Sequence, residues 1–157
     1  MSTPRECTRH LDDESATMAL GRDLALGIDE GLQLHLHGDL GAGKTTLVRG
    51  LLRALGFEGR VKSPTFTLVE PYELSKLSLY HFDFYRFEHP DELRAAGLLE
   101  FFGTSAVCIV EWPEKAQAHL PAPDLEIWLR ATDKGGRSAC LIADTERGAR
   151  WLKALPT

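Results

Sequence analysis

The sequence is short of cysteine, of long apolar runs and of clustered basic charge, and each shortage removes a class of protein. Its three cysteines, Cys7, Cys108 and Cys140, are an odd number at wide spacings. They suit neither a disulfide framework nor a Cys-x-x-Cys metal or redox site, and read as buried or inert thiols. The longest apolar run, Ala106–Val110, is far below the roughly 20 residues that cross a bilayer, so no membrane association is expected. Met1–His10 carries charges and no apolar stretch, unlike a secretory signal, and a cytoplasmic location is the expectation. Lys and Arg number 18 against 23 Asp and Glu, for a net charge of -5, and they form no run. Autonomous nucleic-acid binders show a basic face and a high isoelectric point, so any link to RNA is expected to pass through a partner protein.

Internal repeats, low-complexity tracts and long linkers are also missing. With 157 residues, 43% hydrophobic and 26% charged, the chain has the composition of one soluble globular domain over 1–157, and at this size folding buries about 68–70% of the extended surface. Met1–His10 reads as a polar, flexible arm. From Ser15 to Ile28, Leu20, Leu24 and Ile28 recur four apart, predicting a helix with one buried stripe. The alternation Leu32-Gln33-Leu34-His35-Leu36-His37 predicts a strand that Gly38 ends. Leu47, Val48, Leu51, Leu52 and Leu55 then mark a helix from Lys44, with Gly56 at its C-terminus. Further strands are expected at Leu77–Phe82 and Ala106–Val110, separated by a helix from Pro90 to Phe102. Because Ala106–Val110 is apolar throughout, it should be a parallel strand covered on both faces near the sheet centre. Leu125–Leu129 and Ser138–Ala143 predict a closing hairpin turning at Asp133–Gly136, and Glu146–Leu155 a last helix. The expected fold is α/β: a single domain with a mainly parallel central sheet flanked by helices and a C-terminal hairpin, which with Gly38-Asp39-Leu40-Gly41-Ala42-Gly43-Lys44-Thr45 between strand and helix resembles the P-loop NTPases.

Chemistry enters at Gly38-Asp39-Leu40-Gly41-Ala42-Gly43-Lys44-Thr45, which matches G-x-x-x-x-G-K-[ST] in full between a predicted strand and a predicted helix. Glycines let successive backbone N–H groups point at phosphate oxygens where a side chain would intrude. In that arrangement Asp39, Leu40, Gly41, Ala42, Gly43 and Thr46 line a triphosphate. Lys44 reaches its β- and γ-phosphates, Thr45 gives its hydroxyl to Mg²⁺, and the helix N-terminus faces the same anion. ATP and Mg²⁺ are the expected cofactors. Such a site needs a second acidic metal contact at the tip of a neighbouring strand. Glu111 follows Ala106–Val110 and Asp83 follows Leu79–Phe82; Glu111 is favoured for the metal and Asp83 for orienting water, with the roles exchangeable.

Several residues carry two readings. Ser63-Pro64-Thr65 holds a rigid turn, either a switch in which Thr65 senses a γ-phosphate or an ordinary turn into a strand from Thr67. Trp112 reads as an exposed partner surface, a hydrophobic lid or a packing residue. His81 reads as a core or edge histidine more readily than as a catalytic one, and Tyr85 and Arg86 as phosphate or partner contacts or as a surface ion pair. His35 and His37 share a strand face without a third ligand, so no metal is assigned to them.

Three further segments follow the loop in order: Val61-Lys62-Ser63-Pro64-Thr65-Phe66-Thr67-Leu68-Val69, His81-Phe82-Asp83-Phe84-Tyr85-Arg86 and Val110-Glu111-Trp112-Pro113-Glu114. With Gly38–Thr46 they closely resemble the bacterial TsaE family (older name YjeE), over about Thr17 to Arg137. The resemblance implies a partner-dependent ATPase that works with TsaB and TsaD in placing threonylcarbamoyl on the adenosine next to the anticodon, the t6A modification of tRNA, with tRNA reached through that complex. It implies that Lys44, Thr45 and Glu111 hold phosphate and metal, that Thr17 and Arg137 contact the nucleotide, that Thr65 is switch-like, and that Asp83 is a catalytically important aspartate. Phe82 and Phe84 stand where the family often has aliphatic residues, a difference of packing. The alternative is a P-loop small-molecule kinase, for whose acceptor pocket and arginine-bearing lid the chain has little length. A guanine-nucleotide switch lacks an Asn/Thr-Lys-x-Asp stretch to read the base. No arginine finger sits in a motif, so slow activity is expected of the chain alone.

Overall fold

The computed structural model describes residues 5–156, and its sheet is organised around the alternating segment. β1 (Glu6–Leu11) precedes helix α1 (Glu14–Leu26), and the alternating segment forms β2 (Gln33–His37), followed by helix α2 (Lys44–Ala54). β3 (Val69–Glu73) and β4 (Ser78–Asp83) come next, then a short helix α3 (Glu92–Ala95), β5 (Val107–Glu111), the hairpin β6 (Leu125–Ala131) and β7 (Arg137–Ala143), and helix α4 (Glu146–Lys153). The strand order is β1-β7-β6-β2-β5-β4-β3. β6, β2, β5 and β4 run parallel, and the outer pairs β1–β7, β7–β6 and β4–β3 are antiparallel. The sheet is thus parallel at its centre and mixed at its edges, with β5 buried along its whole length, as its unbroken apolar sequence requires.

Each face of the sheet carries its own core. Leu34 and Leu36 of β2, Ile109 of β5 and Leu141 of β7 pack with Leu20 and Leu24 of α1, Leu47 and Leu51 of α2, and Trp151 of α4. On the other face Phe82, Phe84 and Phe87 join Leu93, Cys108 and Val110. α1 starts on Asp13, whose side chain accepts from Ala16 N at 2.9 Å, satisfying a free first-turn N–H. α1 and α2 cross at two facing glycines: a Cβ on Gly21 would stand 2.1 Å from Leu47 O, and one on Gly50 2.2 Å from Met18 O. Only glycine permits this backbone approach.

Two expectations are corrected. The supposed flexible arm is, over Glu6–Leu11, an edge strand paired antiparallel with β7; Met1–Pro4 lies outside the described residues. The supposed helix Pro90–Phe102 is one turn, α3, then a 3-10 turn at Leu99–Phe101, because Gly97 takes the left-handed φ of 73° that ends a helix.

Candidate functional site

Gly38–Gly43 leaves the C-terminal end of β2 and feeds α2, so the loop lies where the parallel strands finish. Gly41 and Gly43 have φ of 79° and 103°, a region that costs side-chain-bearing residues energy. Arg137, the first residue of β7, holds this curve from outside: its Nη2 donates to Gly41 O at 3.0 Å and its Nε to Ala42 O at 3.2 Å. Thr17 of α1 supports it from below, with Cγ2 3.5 Å from the position of a Cβ on Gly43. Thr17, Gly41, Ala42, Gly43, Thr46 and Arg137 thus border one cavity of about 320 Å³.

Across the loop a second cavity, of about 270 Å³, gathers Lys44, Thr45, Ser63, Thr65, Asp83, Glu111 and Trp112. Asp83 and Glu111 end adjacent strands and face each other in the β4–β5 register. Asp83 is engaged at both oxygens: Oδ1 accepts from Tyr85 N at 2.8 Å, and Oδ2 from Thr65 Oγ at 3.0 Å and Ser63 Oγ at 3.4 Å. Burial raises its pKa, against the lowering effect of the Tyr85 N–H and Thr65 hydroxyl. Glu111 accepts at Oε2 from His81 Nε2 at 2.6 Å. Lys44 turns its ammonium onto its own loop, donating to Gly38 O, and to Asp39 O at 3.4 Å. The Trp112 ring covers it, with Nζ 4.2 Å from the ring centroid. Burial lowers the Lys44 pKa, while Glu111 and Asp83 pull it back up.

The residues named from sequence therefore meet around one loop, in two groups. Thr17 and Arg137 lie on one side, and Thr65, Asp83 and Glu111 on the other, with Lys44 and Thr45 opening α2 between them. The oxygen donors at the second cavity, hydroxyls of Thr45 and Thr65 and carboxylates of Asp83 and Glu111, suit a hard cation such as Mg²⁺. Among the described residues no cluster of three or more His, Cys, Asp or Glu could hold a metal, and Mg²⁺ in phosphate sites takes only one or two carboxylates. A wider cleft of about 950 Å³ lies beside the loop, lined by His37, Glu114, Glu126 and Trp128 among others, but the convergent hydroxyls and carboxylates are not there.

Sequence reasoning missed two contacts. Trp112 has left-handed backbone, φ 58°, which swings the indole onto Lys44, and no periodicity signals that. His81 is fully buried and bonds Glu111; the alternation from His81 to Asp83 was the available clue, since it places both on one strand face. Arg86 forms no surface ion pair among the described residues and lies 4.7 Å from the Phe66 ring centroid instead.

Fold and site together define the class: a single α/β domain with a mixed seven-stranded sheet, its glycine loop between the first parallel strand and the helix behind it. The family model described as "Threonylcarbamoyl adenosine biosynthesis protein TsaE" matches residues 11–139, and the chain belongs to the TsaE family. It is 40% identical over 152 residues to the tRNA threonylcarbamoyladenosine biosynthesis protein TsaE of Haemophilus influenzae, covering 94% of this chain and 96% of that one. It is 42% identical over 127 residues to the Bacillus subtilis protein of that name, covering 81% and 79%. The crystal structure of Bacillus subtilis YdiB superposes with a TM-score of 0.82 at 29% identity, over 98% of this chain and 95% of that one. No helix among the described residues is long and apolar enough to cross a membrane.

Proposed function

We propose that this chain is a Mg²⁺-dependent ATPase that supports t6A modification of tRNA in the cytoplasm, working with TsaB and TsaD and meeting tRNA through that complex. The observation that carries the reading is the convergence of Lys44, Thr45, Thr65, Asp83 and Glu111 on one cavity at the mouth of the glycine loop. Loop N–H groups and the α2 N-terminus bind phosphate oxygens, and Lys44 leaves the Gly38 and Asp39 carbonyls to meet the β- and γ-phosphates. Thr45 and Glu111 hold Mg²⁺, which offsets charge developing on the transferred phosphoryl group. The occupancy of the carboxylates supports the division of labour. Glu111 has no hydrogen bond recorded to Oε1 among the described residues, whereas both Asp83 oxygens are engaged by the Ser63–Thr65 turn and Tyr85 N. Asp83 therefore orients the attacking water through that turn, and Thr65 reports the γ-phosphate to it. Thr17 and Arg137 border the cavity on the nucleotide's other side.

Lys44→Ala and Thr45→Ala are each expected to lower Mg-ATP turnover by at least about a hundredfold while circular dichroism and melting temperature stay near wild type. Undiminished hydrolysis in a folded variant sinks the reading. Reconstitution of t6A formation from purified components with and without the chain separates coupled hydrolysis from a kinase: dependence on the chain with release of phosphate supports the first, a phosphorylated metabolite the second.

A further inference from the structure

One polar side chain behind the second cavity's wall, in contact with Glu111 of that wall, is unexplained by nucleotide contact. His81 is fully buried in β4, and its Nδ1 has no hydrogen-bond partner. Its Nε2 lies 2.6 Å from Glu111 Oε2, the carboxylate itself being 3% exposed. An ionised carboxylate only accepts, so Nε2 carries the proton and donates. A buried imidazole with one nitrogen left orphaned is costly for the fold, and an aliphatic residue would fill the same space without that cost. The two side chains also rise from neighbouring strands: β4 pairs with β5 in the register His81↔Ile109 and Asp83↔Glu111, so the sheet holds the backbones that carry ring and carboxylate side by side.

We propose that His81 is a positioning residue that fixes the Glu111 carboxylate by holding Oε2, leaving Oε1 for the metal ion. This rests on the reading of the cavity as a Mg-nucleotide site. The inference goes past it by assigning metal affinity to a residue that touches neither metal nor nucleotide. Partners that hold a ligating group from behind typically change metal affinity by about 10–100-fold. Asp83, for comparison, is held by the hydroxyls of Ser63 and Thr65 and by a backbone N–H, so the two neighbouring carboxylates are oriented by independent means.

The test uses the full chain, ADP, and Mn²⁺ as a spectroscopic stand-in for Mg²⁺. Mn²⁺ affinity in the presence of ADP is measured by electron paramagnetic resonance, and ADP affinity in EDTA by calorimetry, for wild type, His81→Leu, His81→Gln and His81→Asn. The Gln amide reaches about as far as Nε2, whereas the Asn amide stops near the Nδ1 position. The expected result is a 10–100-fold loss of Mn²⁺ affinity in the Leu and Asn variants, recovery to within about threefold in the Gln variant, and ADP affinity in EDTA within about twofold throughout. If the Leu variant does not fold, the Gln–Asn contrast decides alone. Equal Mn²⁺ affinity in Gln and Asn variants overturns the inference, as does a parallel loss of ADP affinity in EDTA, which marks a merely structural role. Failure of the wild type to bind Mn²⁺ with ADP removes the site reading and the inference together, and is told apart because it appears before any substitution.

Discussion

His35, in the middle of β2, is 4% exposed with Nε2 unpartnered, and burial drives its pKa from the ordinary 6.5 down to about 4, with His37 adding to the lowering and Glu126 and Glu114 opposing it. The folded state therefore resists a proton that the unfolded chain takes up readily. Stability from this group is complete above pH 6.5 and falls as pH drops towards 4, by about 3 kcal/mol in all. Urea unfolding at pH 7 and pH 5 is expected to show about 2 kcal/mol of that loss in wild type, and His35→Leu to flatten it; an unchanged slope in the variant refutes the assignment. Arg137 gives a second residue-level expectation. Arg137→Lys keeps the charge but cannot fork onto Gly41 O and Ala42 O, so nucleotide affinity drops about tenfold, about 1.4 kcal/mol, with little change in melting temperature. At this scale the sequence was legible where a motif fixes both residue type and spacing, as for Lys44, Thr45, Asp83 and Glu111. It was illegible where contact depends on one torsion, as for Trp112, or on register between strands, as for His81.

Elements were legible where burial imposes a period. β2, β5, α1 and α2 each bury an apolar set, and their patterns announced them. β1 buries little beyond Leu11, with an alternating exposed and half-buried pattern, and so reads as polar chain; its hydrogen bonds to β7 exist only once the hairpin has formed. Pro90–Phe102 has helix-forming residues on either side of Gly97, and tertiary packing of Leu93, Phe101 and Phe102 against β4 and β5 overrides a continuous helix. The facing glycines of α1 and α2 were invisible, because glycine inside a helix pattern signals only a cost. Gly50→Ala drives a methyl into Met18 O and is expected to destabilise the protein by at least about 2 kcal/mol, read as a lowered urea midpoint. A stability gain, the ordinary result of Gly→Ala in a helix, contradicts the close crossing.

For the whole molecule the governing quantity is net charge, -5. A chain of this sign has no general electrostatic attraction for polyanions, and the chain alone at about 10 µM is expected not to retard tRNA in a gel at ~150 mM salt, whereas the assembled complex does; retardation by the chain alone contradicts the proposed route to RNA. The fold class was legible because strand, glycine loop and helix came in sequence and the β6–β7 hairpin carried its own turn, while the antiparallel pairings of β1 with β7 and of β3 with β4 had no such signal in the sequence. The crossing of α1 and α2 has a mechanical outcome. Backbone there meets backbone, so α2 cannot slide or roll against α1, and Lys44 and Thr45 ride on a fixed footing shared with Thr17. Under the proposed function, displacement would fall instead to Ser63–Leu68 and Trp112, where Leu68 and Trp112 take positive φ of 70° and 58° and no glycine-to-backbone approach of that kind is found among the described residues. One wall of the cleft is thereby an anvil, and in the proposed ATPase a companion protein gripping the other wall would have leverage over timing without disturbing where the phosphates rest.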